Sequence, residues 1–134
     1  MDFSSFVTNG DPVVFEILNP ATNLPIEDEN GNKAALVVVG TDSEQFKKAR
    51  NKITNTAIKR MNGSTKIKKS AEEIEAEQVD LLCACVVDVQ NISLNGMPVS
   101  ANKESLKQLF EVCPFVFRQL EAFVYDEANF IKAV

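Results

Sequence analysis

The feature that most constrains this chain is a change of hydrophobic period at Gly40. Before it, VVFEIL (residues 13 to 18) and ALVVVG (residues 35 to 40) are β-branched runs. After it, Phe46, Ala49, Ile53, Ala57 and Met61 recur every three or four residues. The first pattern fits strands and the second one stripe of a helix, so the chain passes from sheet to helix within a few residues. In VVFEIL, Val13, Phe15 and Ile17 share a face. ALVVVG is apolar throughout, which predicts cover on both faces. Between them NPATNLPIEDENGNK (residues 19 to 33) reads as a loop with a short extended piece at Leu24 to Ile26.

The junction itself, VVVGTDSEQFKKARNK (residues 37 to 52), invites comparison with a phosphate-binding loop. Such loops need several glycines followed closely by Lys and Ser or Thr. Here Gly40 stands alone and Lys47 lies well into the helix, so the turn is read as structural. Thr41 and Glu44 are expected to form a capping box.

Further along, Ser70 and Glu73 form a second such box opening a helix over AEEIEAEQVDLLCACVVDVQ, with its glutamates in the turns that the helix dipole favours. Its apolar face is expected to carry Ile74, Leu81, Leu82, Cys85, Val86 and Val89. Asn62-Gly63 is a fitting stop for the preceding helix, and a basic loop STKIKK follows. Asn95-Gly96 predicts a tight turn. Ser100 is the expected cap of a third helix, and Pro114 starts the last, PFVFRQLEAFVYDEANFIKAV, whose apolar face is wider than a small bundle needs. The expected fold is α+β: a small N-terminal antiparallel β element followed by a mainly helical bundle of about four helices. Its 134 residues suit a single domain over 1–134, with a flexible N-terminus at 1–12, the β element at 13–40 and the helical part at 41–134.

Function classes narrow quickly. Histidine is absent, which removes the commonest general base and transition-metal ligand. Cys83 and Cys85 lie in LLCACVV, where small core hydrophobes are the plainer reading. The carboxylates fall in a loop or at a helix start, opposite no nucleophile that the sequence specifies. No enzyme activity, cofactor or metal site is expected. No apolar run approaches the ~18 residues that cross a bilayer, and the start MDFSSFVTNGDP lacks the pattern of a signal peptide, so a cytoplasmic setting is expected.

Charge is distributed unevenly. Residues 47 to 69 hold nine of the fourteen basic residues and no acidic one, giving +9 there and -14 elsewhere in a chain of net charge -5. Such a split suggests an acidic partner, a nucleic acid, or the acidic surface of a second copy. The basic stretch contains no aromatic residue for base stacking, which disfavours nucleic acid.

The order of these pieces resembles the tail assembly chaperones of long-tailed bacteriophages. It is carried by NPATNLPIEDENG, ALVVVGTDSEQFKKAR, the basic stretch, SAEEIEAEQVDLLCACV, and ISLNGMPVSANKESLKQLFEVCPFVFRQLEAFVYDEANF, from about Val13 to Phe130. The chain departs from similar sequences in having Val89-Gln90-Asn91 where a tryptophan often follows the central helix. The resemblance implies a non-enzymatic protein that binds the tape measure protein, keeps it soluble and helps recruit tail tube subunits. Contact with the tail tube protein would come through a longer frameshifted form. It further implies self-association into a ring or spiral, and a place in the host cell cytoplasm but not in the mature virion. Lys47, Lys48, Arg50 and Lys52 are the candidates for charge pairing, and Phe117, Phe123 and Phe130 for packing or partner contact. The alternatives are a virion structural protein, such as a tail-completion or head-tail connector subunit, and a small nucleic-acid-binding regulator.

Overall fold

The computed structural model describes residues 1–4, 6–7, 10–61 and 70–131, with the side chain of Met61 excepted. The strands are β1 (Val13–Glu16), β2 (Ala35–Val38), β3 (Val86–Gln90), β4 (Ser93–Leu94) and β5 (Met97–Pro98). The helices are α1 (Glu44–Met61), α2 (Ala71–Cys85), α3 (Lys103–Val112) and α4 (Pro114–Val124), followed by a 3₁₀ turn, Glu127–Phe130. The fold is α+β, with a small antiparallel sheet and four helices. The stop at Asn62-Gly63 and the loop STKIKK lie outside the described residues.

The sheet has the order β1-β2-β3 and is antiparallel throughout. Phe15, Leu36 and Val89 line up across the strands, as do Val13, Val38 and Val86, and both rows turn toward the helices. The intervening row is Val14, Val37 and Asp88. Val14 and Asp88 are exposed there and Val37 is half-buried, so the expected double cover of β2 is incomplete. Within the strand, Ala35, flanked by Glu16 and Gln90, is the residue buried on that side, and Val39 just beyond it is buried as well. An apolar run here reflects a central strand between two neighbours rather than two covering layers.

The third strand corrects the expected length of the second helix. That helix stops at Cys85, and VVDVQ continues directly as β3. Helix-forming residues lead into the segment, but Val86, Val87 and Val89 are β-branched, and pairing with β2 completes a three-stranded sheet. Two strands alone would be marginal. The register slips between Val37 and Val38, leaving Val87 as the extra residue. Asn95 and Gly96 both have positive φ, 51° and 79°, as the tight turn between β4 and β5 requires.

Two caps also differ from expectation. The Ser43 hydroxyl, not Thr41, accepts the amide of Phe46 at 3.2 Å while donating to the Gly40 carbonyl at 2.6 Å. Asn102, not Ser100, caps α3 by accepting from the Ser105 amide at 2.8 Å. In both cases the cap sits two residues later than expected, because an equally good cap residue lies nearer the first helical turn. Ser70 does cap α2, accepting from the Glu73 amide at 3.2 Å. Pro114 opens α4 as its first residue.

The last helix is shorter than expected. It ends at Val124, where the Asp126 carboxylate accepts the Ala128 amide at 3.1 Å and so competes with helical pairing. The turn that follows brings Phe130 back onto the sheet-to-helix junction. A Cβ built on Gly40 would stand 2.8 Å from Cγ of Phe130, and Gly40 lies outside the left-handed region. The glycine is therefore there for the close approach of a ring, not for an unusual backbone angle.

One cluster of buried side chains joins sheet and helices. Leu36, Leu82, Leu106 and Leu120 are fully enclosed at its centre. Gln119 of α4 ties the helix to the end of β1: its amide accepts from the Leu18 N–H at 2.9 Å and donates to the Leu18 carbonyl at 2.8 Å. From α2, Gln78 donates to the Tyr125 hydroxyl at 2.8 Å.

Candidate functional site

Helix α1 attaches to this core mainly through its first turn. Phe46 is buried, whereas Ala49, Ile53 and Ala57 are only half-buried. The helix continues along α2 without closing over it, and an open groove of about 570 Å³ lies between them. Its floor is made of small or short apolar side chains: Ala49, Ile53 and Ala57 from α1, and Ala76, Cys83 and Ala84 from α2.

Charged side chains rim this groove, and most are already engaged. Arg60 Nη1 stands 2.9 Å from a Glu73 carboxylate oxygen. Lys103 and Lys107 Nζ stand 3.0 and 3.3 Å from Oδ1 of Asp80. That oxygen makes no well-directed hydrogen bond, but two ammonium groups at this range satisfy it electrostatically. Burial alone would raise the Asp80 carboxyl, yet Lys103 and Lys107 outweigh it and hold the group below the ordinary carboxylate range. The lysines come from successive turns of α3, so one acid on α2 pins two turns of a neighbouring helix.

The thiol in the floor is inert. Burial and the nearby Asp80 charge push Cys83 up to about 11, and burial with Cys83 beside it pushes Cys85 up to about 12. Thiols of this kind pack as small hydrophobes and are poor nucleophiles. No group of three or more His, Cys, Asp or Glu residues among the described residues could hold a metal ion.

The four basic candidates on α1 share one environment. Lys47, Lys48, Arg50 and Lys52 are exposed and form no ion pair among the described residues. Arg50 lies with its guanidinium 6.0 Å from the Phe46 ring. Lys52 alone of the four lines the groove.

The phenylalanines stand elsewhere. Phe130 is buried, and Phe123 lies between it and Phe15, with ring centroids 5.7 and 4.8 Å apart. Phe117 is half-buried and meets Phe110 edge to face at 5.3 Å. These last two rings form part of a second groove, of about 610 Å³, between α2 and the α3–α4 pair. Phe123 and Phe130 thus belong to the core, and Phe117 is the one of the three beside an open surface.

Ile58 and Asp80 are important here and were not singled out from the sequence. Ile58 falls outside the α1 stripe and is 51% exposed, a mismatch of period that a stricter reading of the helix would have caught. Asp80 stands between Val79 and Leu81, an acid in the apolar part of α2, and its lysine partners are four residues apart in α3. Their spacing was visible in the sequence, but nothing there indicated which helix they face. No family model, curated protein or solved structure matches the chain.

Proposed function

We propose that this chain is a tail assembly chaperone of long-tailed bacteriophages. It acts by binding, with no turnover. It holds apolar helices of the tape measure protein in soluble form, helps recruit tail tube subunits, works in the host cell cytoplasm and is left out of the mature virion. The resemblance described above supplies the identity of these partners.

The observation that carries the reading is the groove between α1 and α2. Its floor of alanines, Ile53 and Cys83 lets a helix backbone approach closely. Arg60 with Glu73, and Lys103 with Asp80, are paired across its rim, so an entering apolar stripe need bring few counter-charges. A groove of this kind suits the binding mode in which an amphipathic helix lays its apolar face into a cleft. Arg60, Glu73, Asp80 and Lys103 around it are engaged in ion pairs and Cys83 is held protonated, which favours binding over catalysis.

The test is co-expression with the tape measure protein. That protein should stay soluble beside the wild-type chain and precipitate beside an Ala57→Trp/Ala76→Trp variant, which fills the groove from two half-open or open positions. Equal insolubility with and without the wild-type chain sinks the proposal. Detection of the chain in purified particles would instead favour a virion structural subunit.

A further inference from the structure

The outward face of α1 is uncovered, and it is not uniformly polar. Ile58 is 51% exposed. At about 100° per residue it lies roughly 100–180° round the helix from the inward stripe of Phe46, Ala49, Ile53 and Ala57. Eleven residues from Lys47 place it within about 20° of that lysine, with Lys48 and Arg50 about 80° to either side. An isoleucine therefore lies on the same face as three cations that form no ion pair among the described residues, which stand roughly 12–17 Å along the helix axis toward its N-terminus.

The groove between α2 and the α3–α4 pair has the opposite character. Val79, Phe110 and Phe117 give it an apolar floor. Glu72, Glu75 and Glu111 stand on its rim, exposed and without an ion pair among the described residues. Of the cations beside them, Lys107 is engaged with Asp80, and Arg118 remains. The rim thus carries an excess of negative charge beside an apolar floor, where the α1 face carries positive charge in line with an exposed isoleucine.

The two surfaces cannot satisfy each other within one copy. Helix α1 meets α2 on the side of Glu73, Asp80 and Ala84, while Glu72, Glu75 and Val79 face the other groove. The Ile58 face points away from both.

We propose that the outward face of α1 in one copy docks in the α2–α3–α4 groove of a second copy. Ile58 sits against Phe110, Phe117 and Val79, and Lys47, Lys48 and Arg50 approach Glu72, Glu75 and Glu111. Symmetric pairings are disfavoured, because α1 on α1 sets cations against cations and groove on groove sets anions against anions. The contact is therefore head-to-tail, and it either closes into a ring or extends. A polyanion such as nucleic acid would use the cations but leave Ile58 and the acidic groove without a role. The inference rests on these two surfaces and stands or falls independently of tape measure binding.

The experiment is sedimentation velocity of the full chain over a concentration series at about 50 mM and about 500 mM salt, which bracket strong and weak charge screening. Wild-type mass should grow with concentration and fall at high salt. Lys47→Gln/Arg50→Gln/Ile58→Gln disables the donor face and Glu72→Lys/Glu75→Lys the acceptor; each alone should associate at least about tenfold more weakly. Mixed together they should form a one-to-one pair and stop, since only one intact face and one intact groove remain. Arg118→Glu should tighten association by removing the opposing cation, and Ile58→Gln alone should weaken it, so two mild surface changes test the contact if a multiple variant fails to fold. A wild-type chain that stays monomeric, an acceptor variant that associates like the wild type, or a mixture that does not pair overturns the proposal.

Discussion

Replacing Gly40 by alanine sets two opposing effects against each other, and the structure decides which one wins. Gly40 lies outside the left-handed region, so alanine fits the backbone angle and would by itself stabilise by about 0.4–1 kcal/mol through the unfolded chain. Its Cβ, however, would fall 2.8 Å from Cγ and 2.9 Å from Cδ2 of Phe130. Carbon atoms sit comfortably at roughly 3.5–4.0 Å, so the ring must move by most of an ångström. It cannot do so freely, because Phe130 is buried against Phe123. Overpacking of this kind costs about 1–3 kcal/mol, which exceeds the backbone gain over most of its range. The net expectation is destabilisation of about 1–2 kcal/mol, read from the midpoint of urea unfolding at constant slope. Phe130→Ala alone should cost about 3–5 kcal/mol. In the double variant the alanine no longer meets a ring, so the Gly40→Ala penalty should vanish and leave a coupling of about 1–3 kcal/mol. A neutral or stabilising Gly40→Ala, or a penalty that persists without Phe130, would refute the argument that the ring dictates this glycine.

Three further outcomes follow from side chains that connect elements. Gln119→Ala leaves the part-buried N–H and carbonyl of Leu18 without their partners; it should destabilise by about 1–3 kcal/mol in urea unfolding, and hydrogen exchange should quicken at the Leu18 amide. Asp80 has a carboxyl held below its ordinary value of 3.8, so its contribution is present above that value and lost as pH falls through the lower folded value. Asp80→Asn should therefore lower stability by about 1 kcal/mol at neutral pH and flatten the acid limb of a pH–stability curve. The raised thiols act in the other direction: their contribution is complete below the ordinary value of 9.0 and lost as pH rises toward about 11 and 12. A Cys83→Ala/Cys85→Ala variant should lose part of the alkaline fall in stability, and in the wild type both thiols should resist alkylation near pH 8 until urea unfolds the chain.

What could be read from the sequence was whatever local period and local chemistry decide. The alternation in VVFEIL placed Phe15 and Ile17 inward, Asn95-Gly96 made its turn, Ser70 capped α2, and Pro114 opened α4. The errors came where a distant partner decides. Val86–Gln90 becomes a strand because β2 lies beside it, and residues 71 to 85 carry no trace of that. The final helix breaks at Tyr125 because Asp126 captures an amide and Phe130 has a glycine to pack on ninety residues earlier in the chain. The wide apolar face of the last segment looked like surplus surface for a partner. Most of it is accounted for by Phe15, Phe110 and Gly40, which folding brings beneath it.

Folding also redistributes the charge split that the sequence displays. As composition, +9 against -14 describes a basic segment and an acidic remainder. In the fold, α2 stands between two grooves of different character. Toward α1 its acids Glu73 and Asp80 are paired with Arg60, Lys103 and Lys107, and that groove is close to neutral around an apolar floor. Toward α3 and α4, Glu72 and Glu75 form no ion pair among the described residues, although Arg118 lines the same groove. Neighbouring glutamates thus separate into paired and unpaired sets simply because a helix turns about 100° per residue. The paired groove suits an apolar helix, and the unpaired one suits a cationic face that also carries an exposed isoleucine, as the outward face of α1 does. A charge reversal in the first groove should thus disturb folding more than association, and one in the second should do the opposite.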